Sequence, residues 1–155
     1  MSFTNQQFVV FTINQSMYGL PIQEISEIIR MQKVNWMPNS RREVLGMIRL
    51  RDKVIPIISL HRIFMEKEKV LDSKTRIIVI HVKGKEIGIV VDEVDKVMFL
   101  SEENISPPPY RSEHGWLRGV YHREESIIAL VHMEAVLGNV EDMDLYNGVV
   151  KGSLN

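Results

Sequence analysis

Short apolar runs, separated by turn residues at intervals too tight for long helices, set the pattern of this chain. Residues 8–13 (FVVFTI) are β-branched and aromatic, Asn14-Gln15-Ser16 supplies turn chemistry, and Met17-Tyr18-Gly19-Leu20 returns, which predicts a hairpin. Pro21 then precedes Ile22, Ile25, Ile28 and Ile29, a spacing of three and four that strict alternation does not produce. Proline suits a first helical turn, so residues 22–30 predict a short amphipathic helix. Residues 44–50, a charged turn at Arg51-Asp52-Lys53, and the run 54–58 predict a second hairpin, with Pro56 marking an edge or bulge position. Ser59 can cap a short helix carrying Leu60, Ile63 and Phe64 on one face, and residues 66–76 read as a charged surface loop.

The order of elements then recurs. Residues 77–82, a turn at 83–85 and residues 86–91 predict a third hairpin, continuing extended over 92–100, although Val91, Val94 and Val97 also fit a helix face. An irregular connection over 101–118 holds Pro107-Pro108-Pro109. Residues 119–122 and 127–131 flank a turn and predict a fourth hairpin. A last short helix carries Met133, Val136 and Leu137, with Gly138 as its stop, and the tail over 139–155 has no period and is expected to fray.

This recurrence is an internal duplication. At an offset of 69, FVVFTINQSMYGLPIQEISEII lies over IIVIHVKGKEIGIVVDEVDKVM, so that Gly19 meets Gly88, Ile25 meets Val94 and Ile28 meets Val97. At an offset of 73, Gly46 meets Gly119, Ile57 meets Leu130, Ile58 meets Val131 and Phe64 meets Leu137. Each half, about 8–70 and 71–138, is of a size at which a single core is marginal. Several strands are apolar on both faces, which requires cover on both sides. The expected fold is therefore mainly β: two small twisted barrels packed over a shared core, with short helices, the halves exchanging terminal elements. A groove between the halves would be a natural place for ligands or partners.

Composition narrows the function classes. The 155 residues carry 19 Lys and Arg against 20 Asp and Glu, for a net charge of −1, which argues against a nucleic-acid binder working through a broad basic face. With no cysteine there is no disulfide framework, thiolate nucleophile or Cys-ligated zinc. The opening residues MSFTNQQ lack the pattern of a signal peptide, and the longest apolar runs fall far short of the ~20 residues of a membrane span, so a soluble cytoplasmic protein without membrane insertion is expected.

Candidate chemistry is sparse. The five histidines show no paired ligand spacing, and His81 and His122 in predicted strands read as structural, so no metal or cofactor is expected. Asp92, Glu93 and Asp95 cluster, but a solvated strand end explains them more simply than a cation site. Neither a G-x-S-x-G nor a phosphate-binding glycine loop is present, and no enzyme reading stands out. The segment SPPPY (106–110) reads as a rigid loop, with presentation of a polyproline epitope as the alternative. What remains is partner surface. Arg49 and Arg51 alternate with Ile48 and Leu50, placing both guanidiniums on one strand face near the turn, either as a docking pair or as a solvated tip. Trp36 and Trp116 stand in loops as core lids or interface anchors.

The strand–turn–strand GMIRLRDKVIPIISL (46–60) resembles the G-x-x-N-L-R-G-x-x-x-P-x-x-D-L segment of the CheW family of bacterial chemotaxis coupling proteins. The stretches FVVFTI…YGLPIQEISEII and EIGIVVDEVDKV resemble the same family, and the likeness runs from about Phe8 to Gly138. The resemblance implies two five-stranded SH3-like β-barrel subdomains and no catalysis or cofactor. It implies an adaptor bridging the cytoplasmic tip of methyl-accepting chemoreceptors to the regulatory domain of a CheA-type histidine kinase, recruited to membrane receptor arrays. Receptor helices are expected in the groove between subdomains. Carried over by position, Ile25, Glu27, Gly46 and Arg51 fall at partner-contact positions, Arg49 joins them, and Val90 and Val91 are candidates for the kinase side. Three positions depart from the pattern: Arg49 replaces Asn, Asp52 replaces Gly and Ser59 replaces Asp. Asp52 tolerates a left-handed turn less well than Gly, Ser59 still caps, and Arg49 adds a charge that retunes partner choice. A non-flagellar chemosensory pathway, or a small-ligand sensor using the cleft between subdomains, are the alternatives.

Overall fold

In a computed structural model, residues 6–36, 41–65, 71–112 and 115–142 are described. The strands are β1 (Gln6–Ile13), β2 (Ser16–Pro21), β3 (Ile25–Arg30), β4 (Val44–Leu50), β5 (Lys53–Ser59), β6 (Arg76–Val82), β7 (Lys85–Val91), β8 (Glu93–Leu100), β9 (Ile105–Ser106), β10 (Leu117–Arg123) and β11 (Ser126–Val131). Single helical turns occupy Ile22–Glu24, His61–Met65 and Glu102–Asn104, and one α-helix, α1 (Met133–Asp142), closes the described chain.

Two sheets result. Sheet A has the order β8-β1-β2-β11-β10-β9, and sheet B the order β3-β6-β7-β5-β4. With offsets of 69 and 73 the two orders are one order written twice, β3 standing for β8, β6 for β1, β7 for β2, β5 for β11 and β4 for β10. The correspondence extends to single residues. The parallel crossing pairs Ile57 with Gly88 in sheet B and Leu130 with Gly19 in sheet A. Bulges fall between Val44 and Gly46 and between Leu117 and Gly119, and again at Ser26 and at Asp95. Even the sixth strand has a trace in sheet B: Ser106 pairs with Val120, and Asn35 forms an isolated bridge to Met47.

Each sheet draws strands from both halves of the sequence. This exchange explains the strands that are apolar on both faces. In β6, Ile77 and Val79 enter a core private to sheet B, while Ile78, Ile80 and Val82 enter a core shared by the sheets. In β1, Phe8 and Val10 enter the private core of sheet A, while Phe11 and Ile13 join the shared one. The private core of sheet A (Phe8, Val10, Leu100, Tyr121, Ile128 and Leu130) comes from that sheet alone, so the sheet must curl around it. Period-2 alternation thus survives, but with an apolar residue on both sides.

Three expectations need correction. Residues 22–30 are not a helix: one turn over Ile22–Glu24 leads into β3, which pairs antiparallel with β6. The bulge at Ser26 resets the alternation, so the spacing of three between Ile22 and Ile25 and of four between Ile25 and Ile29 is turn plus bulged strand. β-branched isoleucines then favour the ladder offered by β6. Gly138 does not stop α1, which runs on to Asp142. In the β4–β5 turn the left-handed residue is Arg51, with φ of 59°, rather than Asp52. Pro56 lies in a strand inside the sheet order, yet pairing with β7 begins only at Ile57, so at Pro56 the strand has β4 alone as neighbour. The Ser59 cap is present, Oγ accepting the Arg62 N–H at 3.2 Å. Residues 66–70 of the charged loop and residues 143–155 of the tail lie outside the described residues.

Candidate docking site at the tip of sheet B

The β4–β5 turn carries Arg51 and folds its side chain back across the sheet toward β3. The Arg51 guanidinium meets the Glu27 carboxylate twice, Nη1 to Oε2 at 2.7 Å and Nη2 to Oε1 at 2.9 Å. This is the parallel fork geometry that makes Arg–carboxylate pairs directional. The pairing holds the Arg51 pKa above its ordinary value, chiefly through the hydrogen bond to Glu27 and then through the charge. Two residues singled out in the sequence, 24 positions apart, therefore act as one unit.

A second clamp lies beside it. Lys53 Nζ stands 2.9 Å from Glu86 Oε1, and the Ser26 hydroxyl donates to Glu86 Oε2 at 2.8 Å. The hydrogen bond from Lys53, then that from Ser26, lowers the Glu86 pKa. Ser26, Lys53 and Glu86 carry no signal in the local sequence. They meet only because the parallel pairing of β5 with β7 and the antiparallel pairing of β3 with β6 bring the β4–β5 turn, the start of β7 and the start of β3 together.

The remaining candidates fall in different places. Ile25 opens β3, half-buried against the shared core, and the extended strand rather than a helix presents it beside Glu27. Gly46 is buried at the bulge with φ of 149°, and a Cβ there would lie 2.2 Å from the Asn35 carbonyl oxygen. Arg49 is exposed on β4 and has no ion pair among the described residues. Because Arg51 has left the strand for the turn, the two arginines do not share a strand face as expected. Val90 and Val91 are buried, Val90 in the private core of sheet B and Val91 in the shared core, and offer no side-chain surface.

Between the sheets the shared core is packed, and its margin carries a line of rings. Phe11 and Tyr18 have centroids 5.8 Å apart, Tyr18 and Phe64 5.4 Å, and Phe64 and Trp116 5.0 Å. Trp116 is thus a half-buried lid, whereas Trp36 is exposed beneath the Arg62 guanidinium. Burial, then the neighbouring Tyr110, pushes the Tyr18 phenol pKa up. Among the histidines, His122 Nε2 bonds to the Ser106 hydroxyl at 2.9 Å, and His132 Nδ1 accepts from Arg118 at 2.6 Å.

A family model described as a CheW-like domain matches residues 7–141. The chain belongs to the CheW-like family. It is similar to the chemotaxis protein CheW of Klebsiella aerogenes, at 32% identity over 94% of this chain and 89% of that one. The chemotaxis protein CheW of Treponema pallidum is 28% identical over 95% of this chain and 92% of its own length. The crystal structure of the scaffolding protein TtCheW from Thermoanaerobacter tengcongensis superposes with a TM-score of 0.76 at 27% identity, covering 83% of this chain and 89% of that chain. The CheW-like fold agrees with the mainly β architecture read from the duplication. No helix among the described residues is long and apolar enough to cross a membrane.

Proposed function

We propose that this CheW-like chain is a chemotaxis adaptor without catalytic activity, coupling the cytoplasmic tip of chemoreceptors to the regulatory domain of a CheA-type histidine kinase. The observation that carries this reading is likeness along nearly the whole chain to relatives named as chemotaxis proteins and to one named as a scaffolding protein. The tip of sheet B is the proposed contact surface. Ile25, Glu27 and Arg51 supply its face, Arg49 an exposed neighbouring charge, and Gly46 the backbone bend that sets the edge of β4. Val90 and Val91, buried at the other end of β7 opposite Ser59 and Arg76, are assigned to the kinase side only through the packing of that strand.

Preorganisation supports this assignment. The fork between Glu27 and Arg51 holds a flexible arginine in one geometry before any partner arrives, so less side-chain freedom remains to be lost on binding. The adaptor would be recruited to membrane arrays through its receptors. The test is co-elution on a sizing column with the regulatory domain of a CheA-type kinase from the same organism, and with a receptor tip fragment. Arg51→Glu should abolish one of the two complexes, and Glu27→Arg combined with Arg51→Glu should recover part of it. Unchanged elution of both complexes by the single variant would overturn the site. Failure of the unmodified chain to bind either partner would overturn the coupling role.

A further inference from the structure

The duplication gives every position at the tip of sheet B a counterpart at the same end of sheet A. Glu27 corresponds to Lys96, Arg51 to Glu124, Lys53 to Ser126 and Glu86 to Met17. In sheet B these four positions close into two ion pairs. In sheet A they open into a concavity of about 200 Å³, completed by Met98, Tyr121 and Ile128. The Lys53–Glu86 clamp is replaced by a hydroxyl and a thioether. The Glu27–Arg51 pair recurs with inverted sign, and Lys96 stands near Asp95, at 3.9 Å, instead of pairing with Glu124. The turn holding Glu124 repeats the strained geometry of Arg51, with φ of 56° against 59°.

The chemistry of this mouth is that of a small amphiphile site. Tyr121 and Ile128 are buried and form an apolar floor, and half-buried Met17 and Met98 form walls that adapt to the shape of a guest. One cation and one anion stand at the rim, offering a carboxylate and an ammonium group each its opposite charge. The volume is below the roughly 300 Å³ typical of sites for drug-sized ligands, and suits a single side chain. We propose that the mouth of sheet A binds a free amino acid with an apolar side chain. The side chain rests between Met17 and Met98, the carboxylate faces Lys96 and the ammonium faces Glu124. This site is separate from the docking surface above and stands whether or not that surface binds a kinase.

Methionine methyl NMR tests it directly. Protein labelled at the methionine ε-methyl groups is titrated with L-leucine, L-methionine and L-phenylalanine into the millimolar range. The Met17 and Met98 resonances should shift and saturate, while those of Met31 and Met47 stay in place. Absence of saturable shifts with all three ligands overturns the proposal. 4-Methylpentanoate, which lacks the ammonium, and isopentylamine, which lacks the carboxylate, should each bind at least about tenfold more weakly than leucine. Equal binding of either overturns the ligand class. Met17→Glu combined with Ser126→Lys, which rebuilds the clamp of sheet B, should abolish the Met98 shift while the amide spectrum stays dispersed. Retained binding in that folded variant overturns the location.

Discussion

Gly19 and Gly88 occupy equivalent points of the two parallel crossings, and the same substitution at each should have different effects. A Cβ at Gly88 would stand 2.8 Å from Ile77 Cγ2 and 2.7 Å from Ile57 Cδ1. Ile57 Cδ1 is the end of a side chain and can turn aside, but Ile77 Cγ2 is a branch methyl fixed by a stiff χ1 in a fully buried residue. At Gly19 the nearest atoms are Leu130 Cδ2, at 3.1 Å, and Ile128 Cγ2, at 3.4 Å, the second an ordinary contact and the first a movable terminus. Alanine in a strand gains roughly 0.5–1 kcal/mol over glycine through the unfolded chain, and overpacking costs about 1–3 kcal/mol. Gly19→Ala should therefore lie within about 0.5 kcal/mol of the parent, and Gly88→Ala should be destabilised by about 1–2 kcal/mol. With a urea m-value of about 2 kcal/mol/M, that difference moves the midpoint by roughly 0.5–1 M. Ile77→Leu removes the blocking methyl at nearly constant volume, so combined with Gly88→Ala it should recover about 1 kcal/mol in a double-mutant cycle. Equal midpoints for the two alanine variants, with unchanged m-values, would refute the reasoning, as would strict additivity in the cycle.

Other outcomes follow from single residues. Gly46→Ala forces a Cβ against the Asn35 carbonyl at a backbone angle that favours glycine, and should cost about 3 kcal/mol or more by denaturant titration, whereas the Gly119→Ala counterpart, 3.1 Å from Ser106 O, should cost less. Gln15 sits at φ of 72° in the β1–β2 turn, so Gln15→Gly should raise stability by about 0.5–1 kcal/mol in the same assay. Glu86 has a lowered pKa in the folded protein, so its contribution is present above the ordinary carboxylate pKa and is lost as pH falls through the lowered value. Stability measured against pH should therefore drop less steeply in acid for Glu86→Gln than for the parent. A parallel pair of curves would show that the Lys53 clamp contributes nothing.

How much of this was legible beforehand varies by element. The four hairpins were readable because alternating β-branched residues and turn chemistry act locally, within a few residues of each other. β3 was not: its isoleucines mimic helical spacing, and only the bulge at Ser26 and the waiting edge of β6 resolve them as a strand. Glu27 and Arg51 were visible as separate residues by resemblance, but their bidentate pairing, and the neighbouring Lys53–Glu86 clamp, were not. Such contacts join hairpin ends brought together by parallel pairing, which leaves no short-range trace in sequence. Val90 and Val91 show the converse, since a strand apolar on both faces does not reveal which residues remain at the surface.

The hairpins, the duplication and the family are readable from the order of residues alone, because each rests on local patterning or on position along the chain. Tertiary pairing settled which strands the halves exchange, an exchange already expected from the sequence, so that each sheet has a private core and both share a third. It also decided that one sheet end closes with ion pairs while its duplicate stays open. Both depend on the register of strands from opposite halves, where a shift of one residue would turn every side chain to the other face.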